Sequence, residues 1–387
     1  MKRVCVITGT RAEYGLLYPL IKLIHEDNSL ELQLIVSGTH LKKKYGYTKK
    51  EIINDGFPIM AEFDIFENEN ERNYVSKAMA NVLLQFSEYL IKHTPDIAII
   101  LGDRYEMMAF AIALTNEKIP IAHLNGGETT EGALDEVYRH CITKMSMYHF
   151  VNCDQHRKRV IQLGENPDRV FNVGDTCIDN VVNQKLLLKN EIYAHLGLNN
   201  ISDNDNMVIV TYHPVTLEED SLRQVKILVN VLKKHNEYFY LFTKSNADMG
   251  GEKINSYLQN VIYSWENAML VDSLGRVEFL SALKYSTMMI GNSSSGIYEA
   301  PIFKIPTINI GNRQRGRIHG ETVIDCEVDE YAINSALLKV QTTSFRKKCL
   351  NSKNLFGDGQ AAQRIIKIIK EKLNQNIDLK KKFYDLK

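Results

Sequence analysis

The stretch Ile97–Glu106, IAIILGDRYE, decides the fold class. Its first five residues are apolar without alternation, the pattern of a strand covered on both faces. The run stops at Gly102-Asp103-Arg104 and gives way to a helical pattern near Tyr105–Leu114. A buried strand, a polar turn and a helix form half of a parallel βαβ unit.

The same unit recurs on both sides. Val4–Ile7 leads into Gly9-Thr10-Arg11 and a helix over Tyr14–Ile24, and Leu32–Val36 into Ser37-Gly38-Thr39-His40. Ile119–Leu124 leads into Asn125-Gly126-Gly127. The pattern restarts after about residue 175, with Met207–Val210 running into Thr211-Tyr212-His213-Pro214 and Phe239–Thr243 into Lys244-Ser245-Asn246. Thr287–Ile290 then leads into GNSSSG (Gly291–Gly296), and Thr307–Ile310 into Gly311-Asn312-Arg313. Two such series predict an α/β protein of two doubly wound, Rossmann-like domains.

The expected domains are 1–177, 178–358 and a C-terminal segment 359–387, with the polar run Asn199–Asn206 as a loop inside the second. The last helix, near Gln360–Leu373, carries Ile365, Ile366, Ile368 and Ile369 and is expected to pack back on the first domain. Ligands bind outside the carboxyl ends of strands in such sheets. Two domains facing each other are therefore expected to form one cleft lined by these polar turns.

Composition narrows the classes further. The 387 residues are 44% hydrophobic and 24% charged, enough apolar material for two cores, which excludes a disordered or fibrous chain. Lys+Arg and Asp+Glu both number 47, and a net charge of zero argues against bulk nucleic-acid or membrane-surface binding. The six cysteines show no CxxC and read as buried thiols of a reducing compartment. The apolar run after Met1-Lys2-Arg3 is too short for a signal peptide, and no stretch approaches the ~18 apolar residues of a membrane span. A soluble, cytoplasmic protein is expected.

Three polar constellations carry candidate chemistry. Gly9–Gly15 (GTRAEYG) opens the first helix; it is neither GxGxxG nor a P-loop, so dinucleotides and ATP hydrolysis lose support. Helix-start N–H groups and Arg11 suit an anion, the alternative being a tight turn with a solvated arginine. In Gly291–Gly296, glycines permit close backbone approach, and three hydroxyls before a helix suit a diphosphate. Glu299, one turn on, can accept both hydroxyls of a ribose; a serine-rich cap with a surface glutamate is the alternative. Arg313, Arg315 and Arg317 follow the next strand, with a solvated basic loop as the bland reading for at least one of them.

The third constellation is acidic. Asp103 ends a strand, Glu128 follows a Gly-Gly turn, and Asp135-Glu136 begin a helix that also carries Arg139 and His140. Arg139, four residues after Asp135, can share its helix face. Carboxylates whose environments separate their pKa values allow acid–base chemistry, and His213 can join from the other domain. Each taken singly is also explained as a cap or surface charge. The eleven histidines show no HxxxH or HExxH, so no metal is expected.

Taken together these residues resemble the hydrolysing UDP-N-acetylglucosamine 2-epimerases of sialic-acid-type sugar synthesis. The matching stretches are GTRAEYGLL (Gly9–Leu17), LGDRYE (Leu101–Glu106), HLNGGE (His123–Glu128), DEVYRHCITKMS (Asp135–Ser146), GNSSSGIYE (Gly291–Glu299), NIGNRQRG (Asn309–Gly316) and the Gly357-Asp358-Gly359 turn. The non-hydrolysing branch carries EAGLRT and HRxEN-like stretches where this chain has Asn125-Gly126-Gly127-Glu128 and His213-Pro214-Val215-Thr216, which favours the hydrolysing branch.

The resemblance implies the two-domain GT-B fold, with nucleotide held mainly by the C-terminal domain. It implies that Arg11, Arg104, Asn246, Ser293, Ser294, Glu299 and Arg313 bind UDP, with His213 near the diphosphate. Asp103, Glu128 and Asp135 would do the acid–base work. The implied reaction loses UDP, removes the C2 proton to give a glycal, then adds water at C1 and a proton at C2. Its products are free N-acetylmannosamine and UDP, with no cofactor. A homodimer or homotetramer is expected, with neither nucleic acid nor membrane as partner. Rival readings are the same reaction on UDP- or GDP-N,N'-diacetylbacillosamine, whose C4 and C6 end the Thr129–Ala133 loop would face. A GT-B glycosyltransferase and a non-catalytic UDP-sugar sensor are the others.

Overall fold

The computed structural model describes residues 1–66, 71–130, 134–198, 206–214, 220–245, 251–272 and 274–386. The chain divides into two compact units, Met1–Asn180 with Phe356–Lys387, and Val181–Leu355.

The first unit is built on a parallel sheet of β1 (Lys2–Thr8), β2 (Leu30–Ser37), β3 (Ile59–Phe63), β4 (Ile97–Leu101), β5 (Ile121–Leu124), β6 (Tyr148–Val151) and β7 (Val170–Asn172). Its order is β3-β2-β1-β4-β5-β6-β7, the doubly wound arrangement, with the strand order reversing between β1 and β4. Side chains alternate across the pleat. Val4, Val6, Ile97 and Ile99 pack with Leu17, Ile21 and Ile24 of the helix Arg11–Glu26. Cys5, Ile7, Ala98 and Ile100 pack on the other face with Val82 and Phe86 of Tyr74–Lys92 and with Phe110 of Tyr105–Asn116. Both faces are covered, which is why these strands read as unbroken apolar runs.

The C-terminal helix, Ala361–Leu373, buries Ala362, Ile365, Ile369 and Leu373 in the same core as the helix Arg11–Glu26, as its apolar stripe predicts. A carboxylate distant in sequence caps it. Asp179 accepts the N–H of Ala361 at 2.8 Å on Oδ1 and of Ala362 at 2.7 Å on Oδ2. Two orphan donors of the first turn are thereby satisfied.

The second unit repeats the plan with β8 (Asn206–Thr211), β9 (Tyr238–Thr243), β10 (Ala268–Val271), β11 (Met288–Gly291), β12 (Thr307–Ile310) and β13 (Val323–Cys326), in the order β10-β9-β8-β11-β12-β13. Here the order reverses between β8 and β11. At that point Gly291 adopts φ +134°, and a Cβ there would lie 1.9 Å from the Thr211 carbonyl oxygen. Only glycine fits that approach. Of the polar run expected as a loop, Asn206 opens β8 and 199–205 lie outside the described residues. Among the described residues no helix is long and apolar enough to cross a membrane.

Asp179→Ala removes both acceptors from the C-terminal helix. It should cost about 1–3 kcal/mol and lower the melting temperature by roughly 2–10 °C, read by circular dichroism. An unchanged melting temperature would show that packing alone holds the helix.

Candidate active site

In the first unit, a buried guanidinium gathers the acidic residues. Arg139, on the helix Leu134–Met145, is 3% exposed. Its Nη2 pairs with Asp103 and donates to Thr130 Oγ1 at 2.6 Å, while Nη1 donates to Glu136 Oε2 at 2.7 Å and to the Glu128 carbonyl at 3.1 Å. The partner on its own helix is Glu136, three residues away. Asp135 acts through its field. The Asp103 carboxyl is raised from its ordinary value chiefly by burial and further by the charge of Asp135, against the pull of Arg139. Burial also favours the acid form of Glu136, but the Thr130 N–H, His140 and Arg139 together hold it below the usual range.

Glu128 reaches the same region from β5. The turn before it has Asn125 at φ +61° and Gly127 at φ +81°, and a Cβ on Gly127 would come within 2.5 Å of the His156 carbonyl oxygen. The Glu128 side chain accepts from Asn152 Nδ2 at 2.6 Å, and the same amide group donates to Asp175 Oδ2 at 2.9 Å. His123, fully buried, bonds the Gly102 carbonyl through Nε2 at 2.8 Å and Thr143 Oγ1 through Nδ1 at 3.2 Å. Burial pushes its pKa down to about 3, so it is a neutral strut. Of the two arginines expected to meet nucleotide from this unit, Arg11 is exposed and ion-paired with Glu51 at 2.8 Å. Arg104 pairs with Glu106 at 2.5 Å.

The second unit organises its turns around Asn292, which is fully buried. Its side chain accepts the His213 N–H at 2.7 Å and donates to the His213 carbonyl at 2.8 Å. Its own carbonyl accepts from Arg313 Nη1 at 3.1 Å and Gln314 Nε2 at 2.8 Å. The ends of β8, β11 and β12 are so tied together. His213 is buried, with Nδ1 3.5 Å from Ser245 Oγ. Ser293 and Ser294 are half-buried beside Asn292. The helix expected after them is a single turn, Ser295–Tyr298, so Glu299 caps its end. Pro301 forces the following residues into a 3-10 turn over Ala300–Phe303. Arg315 is exposed, and Arg317 lies over the Tyr298 ring at 6.0 Å. Asn246, Val215, Thr216 and the loop residues 131–133 lie outside the described residues.

A pocket of about 550 Å³ on this unit, lined by His319, Asp325 and Lys348 among others, contains none of the expected site residues. Among the described residues, no three His, Cys, Asp or Glu side chains gather as a metal site.

Both sheets are doubly wound, the class of α/β protein that binds its ligands where the strand order reverses, and polar side chains gather at both of those points. Residues 22–370 match the UDP-N-acetylglucosamine 2-epimerase family, and the chain belongs to that family. It is 38% identical to a GDP/UDP-N,N'-diacetylbacillosamine 2-epimerase (hydrolyzing) of Campylobacter jejuni, over 100% of this chain and 99% of that protein. Similarity to the polysialic acid biosynthesis protein P7 of Escherichia coli is 35% identity, over 100% of this chain and 98% of the relative. The fold matches a crystal structure of UDP-GlcNAc 2-epimerase from Neisseria meningitidis bound to UDP-GlcNAc, with TM-score 0.81 and 17% identity over 96% of this chain and all of that one.

Sequence reasoning left several residues of these clusters unassigned. Asp175 follows Gly174 just after β7 as Asp103 follows Gly102 after β4, a signal available in the sequence. Asn152 follows β6 directly, and Asn292 sits inside a motif read for its hydroxyls. Arg139→Ala should leave the partly buried Asp103 without its cation. Losing a charge-assisted hydrogen bond costs about 1.5–3 kcal/mol, measurable by denaturant unfolding. A loss below about 1 kcal/mol would mean that water replaces the guanidinium.

Proposed function

We propose that this protein is a cytoplasmic, homo-oligomeric hydrolysing 2-epimerase that converts UDP-N-acetylglucosamine to free N-acetylmannosamine and UDP. The observation that carries the reading is the acidic cluster of the first unit, in which Arg139 pairs with Asp103 and Glu136 and holds the Glu128 carbonyl, Asp135 adds its charge beside Asp103, and the Glu128 carboxylate turns to Asn152. A carboxyl raised by burial beside a second carboxylate offers a proton donor and a proton acceptor in one place. In this reading Ser293, Ser294, Glu299, Arg313, Arg11, Arg104 and Asn246 hold the nucleotide, with His213 near the diphosphate.

The chemistry orders the steps. The C2 hydrogen of a 2-acetamido sugar is weakly acidic, so direct removal is costly. Departure of UDP builds positive charge on the ring and acidifies C2–H, while arginines stabilise the departing diphosphate. A carboxylate takes the C2 proton, leaving a 1,2-unsaturated glycal. Water then adds at C1 and a proton arrives at C2 from the opposite face. Atoms balance with water as the co-reactant.

A second reading keeps the reaction and changes the sugar to N,N'-diacetylbacillosamine on UDP or GDP. Full-length similarity to the Campylobacter jejuni relative favours it. Turnover of the two sugar nucleotides side by side, followed by proton NMR, separates the readings. In D₂O the released sugar should carry one deuterium at C2. A product protonated at C2, or an accumulating UDP-linked epimer, would overturn the hydrolysing reaction. Asp103→Asn and Asp135→Asn should each retain UDP affinity and lose about 100-fold or more in turnover. Near-normal turnover would reduce that carboxylate to a structural cap.

A further inference from the structure

At the carboxyl ends of β1 and β4, two buried carboxylates meet one guanidinium whose side chain is partly exposed. Glu13 is 6% exposed and Glu106 is fully buried. Arg104 faces both, with its Nε 2.5 Å from Glu106 Oε1 and 3.9 Å from Glu13 Oε1. Glu13 Oε2 accepts the N–H groups of Gly9 at 2.8 Å and Thr10 at 3.1 Å, as part of the capping box that starts the helix Arg11–Glu26. The other oxygen, Glu13 Oε1, and Glu106 Oε2 are both buried without a hydrogen-bond partner. The backbone crowds them, since a Cβ on Gly9 would lie 3.0 Å from Glu106 Oε1.

Helix capping accounts for Glu13 Oε2 and for nothing else here. Two buried carboxylates beside one guanidinium leave one charge uncompensated, and a single proton removes it. We propose that Glu13 and Glu106 hold one proton between them and act as a positioning pair for Arg104, presenting its guanidinium to the anionic part of the substrate with its charge intact. What Arg104 meets rests on the nucleotide-sugar reading above.

The surrounding groups agree. Burial and the Glu106 charge push the Glu13 carboxyl up to about 8, against Arg104 and the two N–H groups. Burial works against the charge of Arg104, but Glu106 and Glu13 overcome it and hold the guanidinium protonated. Tyr105, beside Glu106, is raised by burial and stays a neutral phenol. His40, bonded to Thr8 behind β1, is kept neutral by burial, which lowers it to about 4. Asp103 is already engaged by Arg139. As pH rises through about 8 the pair gains its second charge, and the site turns from neutral to anionic.

The test uses the whole protein and its Glu13→Gln and Glu106→Gln variants. UDP affinity is measured by calorimetry at pH 7.5 and 9.5, where the phosphates of UDP are already ionised. In the unsubstituted protein the dissociation constant should rise about tenfold across this range. In each variant, which carries one permanently neutral amide in the pair, the rise should shrink to within about twofold. Equal rises in all three proteins would overturn the proposal, as would a flat response in the unsubstituted one. Thermal unfolding supplies a readout without ligand. A carboxyl raised in the folded state contributes stability that is full below its unfolded pKa and lost as pH rises through about 8. The melting temperature of the unsubstituted protein should therefore fall more steeply from pH 6 to 9 than that of Glu13→Gln. Parallel curves would exclude the shared proton. Divergent curves with an unaltered UDP response would exclude the positioning role. Failure of UDP to bind at any pH would instead overturn the nucleotide reading, with the unfolding curves still deciding the proton.

Discussion

A guanidinium taken out of water is costly unless acceptors surround it, and Arg139 meets that constraint by drawing four acceptors from separate parts of the chain. Asp103 comes from the end of β4, the Glu128 carbonyl and Thr130 from the segment after β5, and Glu136 from its own helix. None of these segments is held in place by sheet hydrogen bonds where it meets Arg139. Arg139 fastens these turns to one another, beside His123 on the Gly102 carbonyl and Asn152 on the Glu128 carboxylate. The same pairing sets the acidity of Asp103, because burial and Asp135 raise its pKa while Arg139 pulls it back.

The second unit solves the corresponding problem with neutral groups. Asn292 binds the backbone of His213 with both ends of its amide and receives Arg313 and Gln314 on its carbonyl. A fully buried amide with its donors and acceptors matched fixes position without adding a formal charge. Gly291 makes this possible, since any side chain would drive β11 away from Thr211. One unit thus concentrates carboxylates, and the other offers a neutral frame with basic residues at its margin. Proton transfer and anion binding call for that division of character.

The sheets and the acidic cluster were legible because continuous apolar runs reveal strands buried on both faces, and polar residues at their carboxyl ends mark where ligands go. Asp103 and Glu128 were found that way, though what they do is a proposal. Helical spacing was a weaker guide. It put Arg139 and Asp135 on one helix face, but the partners of Arg139 come from tertiary geometry, Glu136 and a carboxylate from 36 residues earlier. The helix after GNSSSG is a single turn, Ser295–Tyr298, so Glu299 stands at its end, before the 3-10 turn that holds Pro301. Glu13 and Glu106 lie on two ordinary helix starts, and only the pairing of β1 with β4 brings them to one arginine. Asp179 gives no local sign of capping a helix that begins at residue 361.

The pattern of burial also bears on how the proposed reaction divides its labour. Elimination needs a base, and rehydration needs an acid on the opposite face of the sugar. A carboxyl group whose proton affinity is raised by burial gives up its proton less readily to water and more usefully to a carbon that is becoming basic. Asp103 has that property, and the charge of Asp135 strengthens it. Glu136 takes a share of the guanidinium through one of its two terminal nitrogens. At Asp103 desolvation outweighs the pull of Arg139 even with one guanidinium nitrogen given to it, so the carboxyl at this strand end holds its proton more tightly than a free aspartate does.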